Sequence, residues 1–165
     1  MKAQLPPNVT IRHDFKPGDI DFLASLHGTL YANDCGWDKS FESYVAGPLS
    51  EFASSRTGRE RIWLVEMNSR IAGSIAIVRS SEEAAQLRWF LLHPDLRGRG
   101  IGRYLIGDAL KFCREQHYPS VFLWTEVSLV AAAHLYKSVG FHLTKEKRHE
   151  QWGMLVTEQR YDLAL

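Results

Sequence analysis

The residues best suited to chemistry lie in Leu91-Leu92-His93-Pro94-Asp95-Leu96-Arg97-Gly98-Arg99-Gly100-Ile101-Gly102-Arg103-Tyr104-Leu105, which reads as a strand, a turn and a helix start. Its glycines permit positive φ and close backbone approach, and the first turn of a helix presents unpaired N–H groups at the positive end of its dipole. Arg97, Arg99 and Arg103 add full charges. An anion is the expected occupant, and a pyrophosphate fits best, because several amides and a guanidinium can meet its oxygens together. The alternative for the three arginines is a solvated basic face. Other glycine patterns do not match. A nucleotide-triphosphate loop requires Lys and then Ser or Thr after Gly102, where Arg103 and Tyr104 stand, and a dinucleotide fingerprint starting at Gly98 requires glycine at the position of Arg103. Cys35 and Cys113 have no nearby sequence partner that would activate them and read as packed free thiols. The seven histidines include no HxxxH and no Cys/His cluster, so no metal is expected.

Positioning such a turn requires a strand before it and a helix after it. Val9 to His13 reads as a strand closed by Pro17-Gly18. Ile20, Leu23, His27 and Leu30 recur at helical spacing, Asn33 to Gly36 is expected to break that helix, and Asp38 to cap the next, whose Phe41, Val45 and Phe52 share a face. Pro48 is expected to kink or divide it. Ile62 to Met67 and Ile71 to Val78 read as a hairpin about Asn68-Ser69-Arg70, with a third strand over Gln86 to Leu92. A helix then carries Ile101, Leu105, Ala109 and Phe112 on one side. A strand over Val121 to Thr125, a helix with Ala132, Leu135 and Val139 ended by Gly140, and two strands near Phe141–Lys147 and Val156–Leu163 complete the chain. The order is strand, two helices, three strands, helix, strand, helix, two strands: an α/β class with a mixed sheet.

With 165 residues the chain is sized for one domain, expected over 1–165. Its formal charge of +1 gives no general basic field, so neither a nucleic-acid nor a membrane-surface partner is expected. No apolar run is long enough for a membrane span, and Met1 to Pro7 reads as no secretory leader, so the expected location is cytoplasmic.

Arg97-Gly98-Arg99-Gly100-Ile101-Gly102 resembles the acetyl-CoA pyrophosphate loop of the GNAT superfamily of N-acetyltransferases. Ala132-Ala133-His134-Leu135-Tyr136-Lys137-Ser138-Val139-Gly140-Phe141 resembles the helix and Gly-Phe strand entry that follow it there, and the element order matches over nearly the whole chain. Leu87 to Leu92, Leu123-Trp124-Thr125 and His27 to Tyr31 are similar to the acetyltransferase half of MarR-fused members, and the early first strand is expected to leave no room for the regulator. The resemblance implies a GNAT fold: a mostly antiparallel sheet of about seven strands flanked by about four helices. It implies acetyl transfer from acetyl-CoA to a small-molecule or peptide amine by direct attack. Loop residues Arg97 to Arg103 and Lys137 would contact the co-substrate, and the backbone of Phe90, Leu91 and Leu92 would pair with its pantetheine arm. Tyr136 matches the tyrosine that serves as general acid. The glutamate of some relatives is replaced near Gln86, leaving Glu126, expected just past its strand, or His27 to handle the amine proton. Ser128-Leu129 stand where a family asparagine is usual. His27, Tyr31, Trp37 and Arg88, with Asp38, Glu42 and the loop His149 to Gly153, are expected to border the acceptor. A homodimer is compatible with the sheet edges. Because Gln86 is no base, a non-catalytic acyl-CoA-binding module is the alternative.

Overall fold

The computed structural model describes residues 5–165; Met1–Gln4, part of the segment read as no leader, lie outside it. In chain order the elements are β1 (Val9–Arg12), α1 (Asp19–Cys35), α2 (Ser40–Ser55), β2 (Arg61–Met67), β3 (Arg70–Arg79), β4 (Ala84–Leu92), a 3-10 turn (Pro94–Leu96), α3 (Ile101–Glu115), β5 (Ser120–Glu126), α4 (Val130–Ser138), β6 (His142–Gln151) and β7 (Met154–Ala164). The seven strands form one sheet in the order β1-β2-β3-β4-β5-β7-β6. All neighbours are antiparallel except β4 and β5. This is the mixed, mostly antiparallel sheet with four helices that the sequence led us to expect.

Helices cover both faces, so the central strands are apolar on both sides. On β2, Trp63 and Val65 join the core made with Ile101, Leu105, Ala109 and Phe112 of α3. Ile62 and Leu64 join the opposite core, with Leu23 of α1 and Phe41, Val45, Leu49 and Phe52 of α2.

As expected, the stretch Asn33 to Gly36 ends α1: the helix runs through Cys35 and stops on Gly36, which takes φ 76° and donates its N–H to the Ala32 carbonyl. Two local readings are corrected. First, Pro48 does not divide α2. A proline inside a helix costs about 3 kcal/mol. The buried Phe41, Val45, Leu49 and Phe52 straddle it, and burying such side chains is worth roughly 1.5–3 kcal/mol each, so packing wins. Second, β4 is not a regular strand. Its pairing with β3 shifts between Ser74↔Leu91 and Ala76↔Arg88, and Trp89 has φ 48°. The Trp89 carbonyl accepts the Ser74 hydroxyl at 2.5 Å. Such a bulge interrupts the alternation of side chains: Leu87 lies in the α3-side core, Trp89 in the α2-side core, and Phe90 again packs toward α3.

Candidate active site

The parallel pair β4–β5 is matched only over Ala84↔Ser120, Ala85↔Val121 and Gln86↔Phe122. Beyond Gln86 the strands part, while β4 stays paired with β3 through Leu92 and β5 with β7 through Glu126. The result is a wedge in the middle of the sheet whose facing edges lack strand partners. A cleft of about 930 Å³ runs through it. One end opens on the turn between β4 and α3. There Gly98 and Gly100 take φ 72° and 79°, a region that β-carbons disfavour, and Gly100 is the residue from which α3 starts. Gly102 lies in the first turn of α3, where an added Cβ would sit 3.5 Å from Leu135 and Leu92 side chains, so the helix end packs closely on the wedge. Gly98, Gly100, Gly102 and Arg103 line this end. Arg97 is committed elsewhere: its Nε donates to the Leu92 carbonyl at 3.0 Å and its Nη2 to Asp34 at 3.1 Å, tying the loop to α1.

Tyr136 of α4 borders the middle of the cleft, packed among Phe90, Phe141 and Tyr161 with ring centroids 6.1–6.2 Å away. Burial pushes its phenol pKa upward, with the nearby Tyr31 adding to the effect. The hydroxyl therefore stays protonated and can donate throughout the neutral range. Glu126 is the last residue of β5 rather than a residue past it, and one carboxylate oxygen, Oε2, accepts the Ser128 N–H at 2.9 Å and the Ser128 hydroxyl. It is 8% exposed, so it is a carboxylate held in place inside the cleft.

The far lobe is aromatic. Tyr31 and Trp37 stack at 5.0 Å, Trp37 meets Trp152 at 4.4 Å, and Phe41 closes on both tryptophans at 4.8 and 4.9 Å. Two buried polar atoms in this lobe have no partner among the described residues, Nε2 of His27 and Nε1 of Trp152. The other ring nitrogen of His27 lies 2.9 Å from the Leu23 carbonyl. A carbonyl only accepts, so Nδ1 carries the hydrogen and Nε2 is a bare acceptor. Burial lowers the pKa of His27 to about 4 from 6.5. Between those two values the unfolded chain holds one proton more than the folded chain, so this contribution is full above pH 6.5 and is lost as pH falls toward 4. The loss is on the order of 3 kcal/mol. Urea denaturation over this range should show the wild type losing more stability in acid than His27→Gln by roughly that amount; parallel curves would refute it.

Residues 28–141 match the model of the acetyltransferase (GNAT) family. The chain belongs to that family. It is 37% identical over 139 residues to an uncharacterized N-acetyltransferase of Methanocaldococcus jannaschii, a match covering 80% of this chain and 60% of that protein. Human N-acetyltransferase 8B is 29% identical over 140 residues, covering 82% of this chain and 59% of the relative. The chain thus spans about three fifths of the length of these relatives. A protein of Salmonella typhimurium, solved with its cofactor acetyl-CoA, superposes with a TM-score of 0.74 over 95% of this chain and 94% of its own, at 16% identity. Acetyl-CoA is the co-substrate of the GNAT family.

Of the residues that the GNAT resemblance singled out, His27, Tyr31, Trp37, Arg88, Phe90, Leu91, Leu92, Arg97, Gly98, Gly100, Gly102, Arg103, Glu126 and Tyr136 all border the cleft. Ile101, Arg99, Lys137, Asp38 and Glu42 do not, and of the loop His149 to Gly153 only His149, Gln151 and Trp152 do. The Ile101 side chain is 2% exposed in the α3-side core, Arg99 is exposed and its Nη1 reaches back 3.5 Å to the Asp95 carbonyl, and Lys137 is exposed on α4. Asp38 serves the helix, its Oδ1 accepting the Ser40 N–H at 2.9 Å, and the Glu42 stem lies against Gly28 of α1. Sequence reasoning missed Tyr44, Asp34 and Trp124 on the cleft wall. Tyr44 had a usable signal, three residues after Phe41 on the stripe of α2; Asp34 was hidden by the expected break in α1. Among the described residues no helix is long and apolar enough to cross a membrane.

Proposed function

We propose that this chain moves an acetyl group from acetyl-CoA to a primary amine by direct attack in a ternary complex, using 1–165 as one domain. The observation that carries this reading is the wedge between β4 and β5, which joins an amide-rich helix start at one end to a carboxylate, a protonated phenol and a closed aromatic lobe at the other. The fit to the co-substrate is chemical. The amides of Gly98 to Gly102 and the positive end of α3 suit a diphosphate. Arg103, which enters no ion pair among the described residues, is the arginine for it, since Arg97 already holds Asp34. The open edge of β4 at Phe90 to Leu92 supplies main-chain partners for an extended arm.

Glu126 takes the proton from the amine, so that the nitrogen lone pair is free to attack the thioester carbon. As the new C–N bond forms and the C–S bond breaks, Tyr136 donates its hydroxyl hydrogen to the departing sulfur, the nitrogen releases its second proton to restore the phenol, and Glu126 passes the first proton to solvent. His27, neutral over the working range, is an acceptor toward the amine substrate rather than its base. Within the family, kinship to the acetyltransferase half of MarR-fused members is supported by the runs Leu87 to Leu92 and His27 to Tyr31.

Calorimetry with coenzyme A, followed by a thiol-release assay with acetyl-CoA and a panel of amines, tests the proposal. Binding together with equal amounts of free thiol and N-acetylated product is expected. Binding without thiol release toward any amine would assign the chain to a regulatory acyl-CoA-binding module instead, and absence of binding would end both readings.

A further inference from the structure

Arg88 is the feature of the cleft that acetyl transfer alone does not explain. In a regular strand it and Trp89 would face opposite sides of the sheet. The bulge in β4 sets both toward α2, so that the Arg88 guanidinium lies 4.7 Å from the Trp89 ring centroid, in the aromatic lobe. Burial holds its pKa below the ordinary value, and the Tyr44 side chain opposes the shift, placing Tyr44 beside it. Among the described residues Arg88 enters no ion pair. The guanidinium carbon lies over the Trp89 ring, and among the described residues no hydrogen-bond acceptor meets its N–H donors. A second orphaned donor, Nε1 of Trp152, belongs to a ring 5.2 Å from that of Tyr44. Two half-buried or buried donors on one lobe, with no acceptor supplied by the protein, define the chemistry of what should enter.

We propose that the acceptor amine carries a carboxylate held by Arg88, and that it is an α-amino acid with an apolar or aromatic side chain. This rests on the acetyl-transfer reading above and names its substrate class. Three points select that class. The lobe has a single half-buried guanidinium and the carboxylates Glu126 and Glu158 also border the cleft, a balance that suits a monoanion better than a phosphate dianion. A polycation would meet Arg88 head on, and the rings that might attract it, Tyr31, Trp37, Phe41 and Trp152, are turned onto one another at 4.4–5.0 Å. Their outer surfaces instead form an apolar wall for a side chain. With its carboxylate on Arg88, the ammonium of an amino acid is drawn toward Glu126 and the bare Nε2 of His27.

The test compares kcat/KM for L-phenylalanine and L-leucine with their C-terminal amides and with spermidine, at saturating acetyl-CoA, on the full chain. The acids should exceed the amides by about 100-fold, the factor expected when hydrogen bonds to a charged group at a half-buried site are lost. The amide substituent lowers the amine's basicity and favours the amide as nucleophile, so the preference runs against intrinsic reactivity. Arg88→Gln should erase most of that ratio and Arg88→Lys restore part of it, with coenzyme A calorimetry checking that both variants are folded. Amides or spermidine acetylated as well as the acids would overturn the carboxylate assignment and leave acetyl transfer standing. An equal loss toward acid and amide in Arg88→Gln would do the same. Transfer to no amine, by a chain that binds coenzyme A, would overturn both.

Discussion

Tyr136→Phe is expected to lower kcat by about 100- to 1,000-fold, the contribution typical of a positioned acid. The substitution removes one oxygen and keeps the ring that packs on Phe90, Phe141 and Tyr161. Among the described residues the phenol hydroxyl makes no hydrogen bond, so none is lost. Stability and affinity for coenzyme A should therefore stay close to wild type, which separates a chemical role from a packing one. Thiol-release kinetics beside calorimetry on the same samples decide it. A variant with near-normal turnover would show that the sulfur leaves without help from this hydroxyl, and parallel losses in turnover and affinity would make Tyr136 a wall residue.

The second large effect concerns the turn before α3. Gly100→Val forces a β-branched side chain onto φ 79°, where no neighbouring atom is in the way but the backbone itself resists. Holding such a conformation costs about 1–3 kcal/mol, so the turn relaxes and the amides at the start of α3 lose their common aim. Losing two charge-assisted hydrogen bonds at about 1.5–3 kcal/mol each should weaken coenzyme A binding by about 100-fold or more. Gly107→Ala is the control: it lies on the same helix with ordinary φ and open space around its Cβ, and should bind normally with slightly greater stability. Equal affinity for Gly100→Val and Gly107→Ala would remove the turn from the binding site.

What the sequence disclosed was local. Glycine spacing, the alternation of β2 and β3 and the stripe of α3 act over a few residues, and they disclosed the element order and the glycine turn ahead of α3. The same stripe marks Ile101 as a core residue, so its place beside Gly100 in the loop motif was never enough to put its side chain in the cleft. What stayed hidden depends on distant partners. The parting of β4 from β5 is a relation between strands some thirty residues apart, and the bulge at Arg88 and Trp89 is set by register with β3. Neither leaves a period to read. Pro48 misled for a related reason: its local cost was legible, whereas the four side chains that override it matter only once the sheet is beneath them.

The path of the chain divides labour. Most of the aromatic lobe comes from the excursion Asp19–Ser55, which precedes the doubly buried β2 and β3, while the turn and the wedge come from residues 84–138. Selection can therefore retailor what the lobe admits by altering one early stretch, with little change to the turn and the wedge. Apart from Arg88, the tip of the β6–β7 hairpin and the Arg97–Asp34 tie between the turn and α1, the two are separately heritable pieces of a single polypeptide.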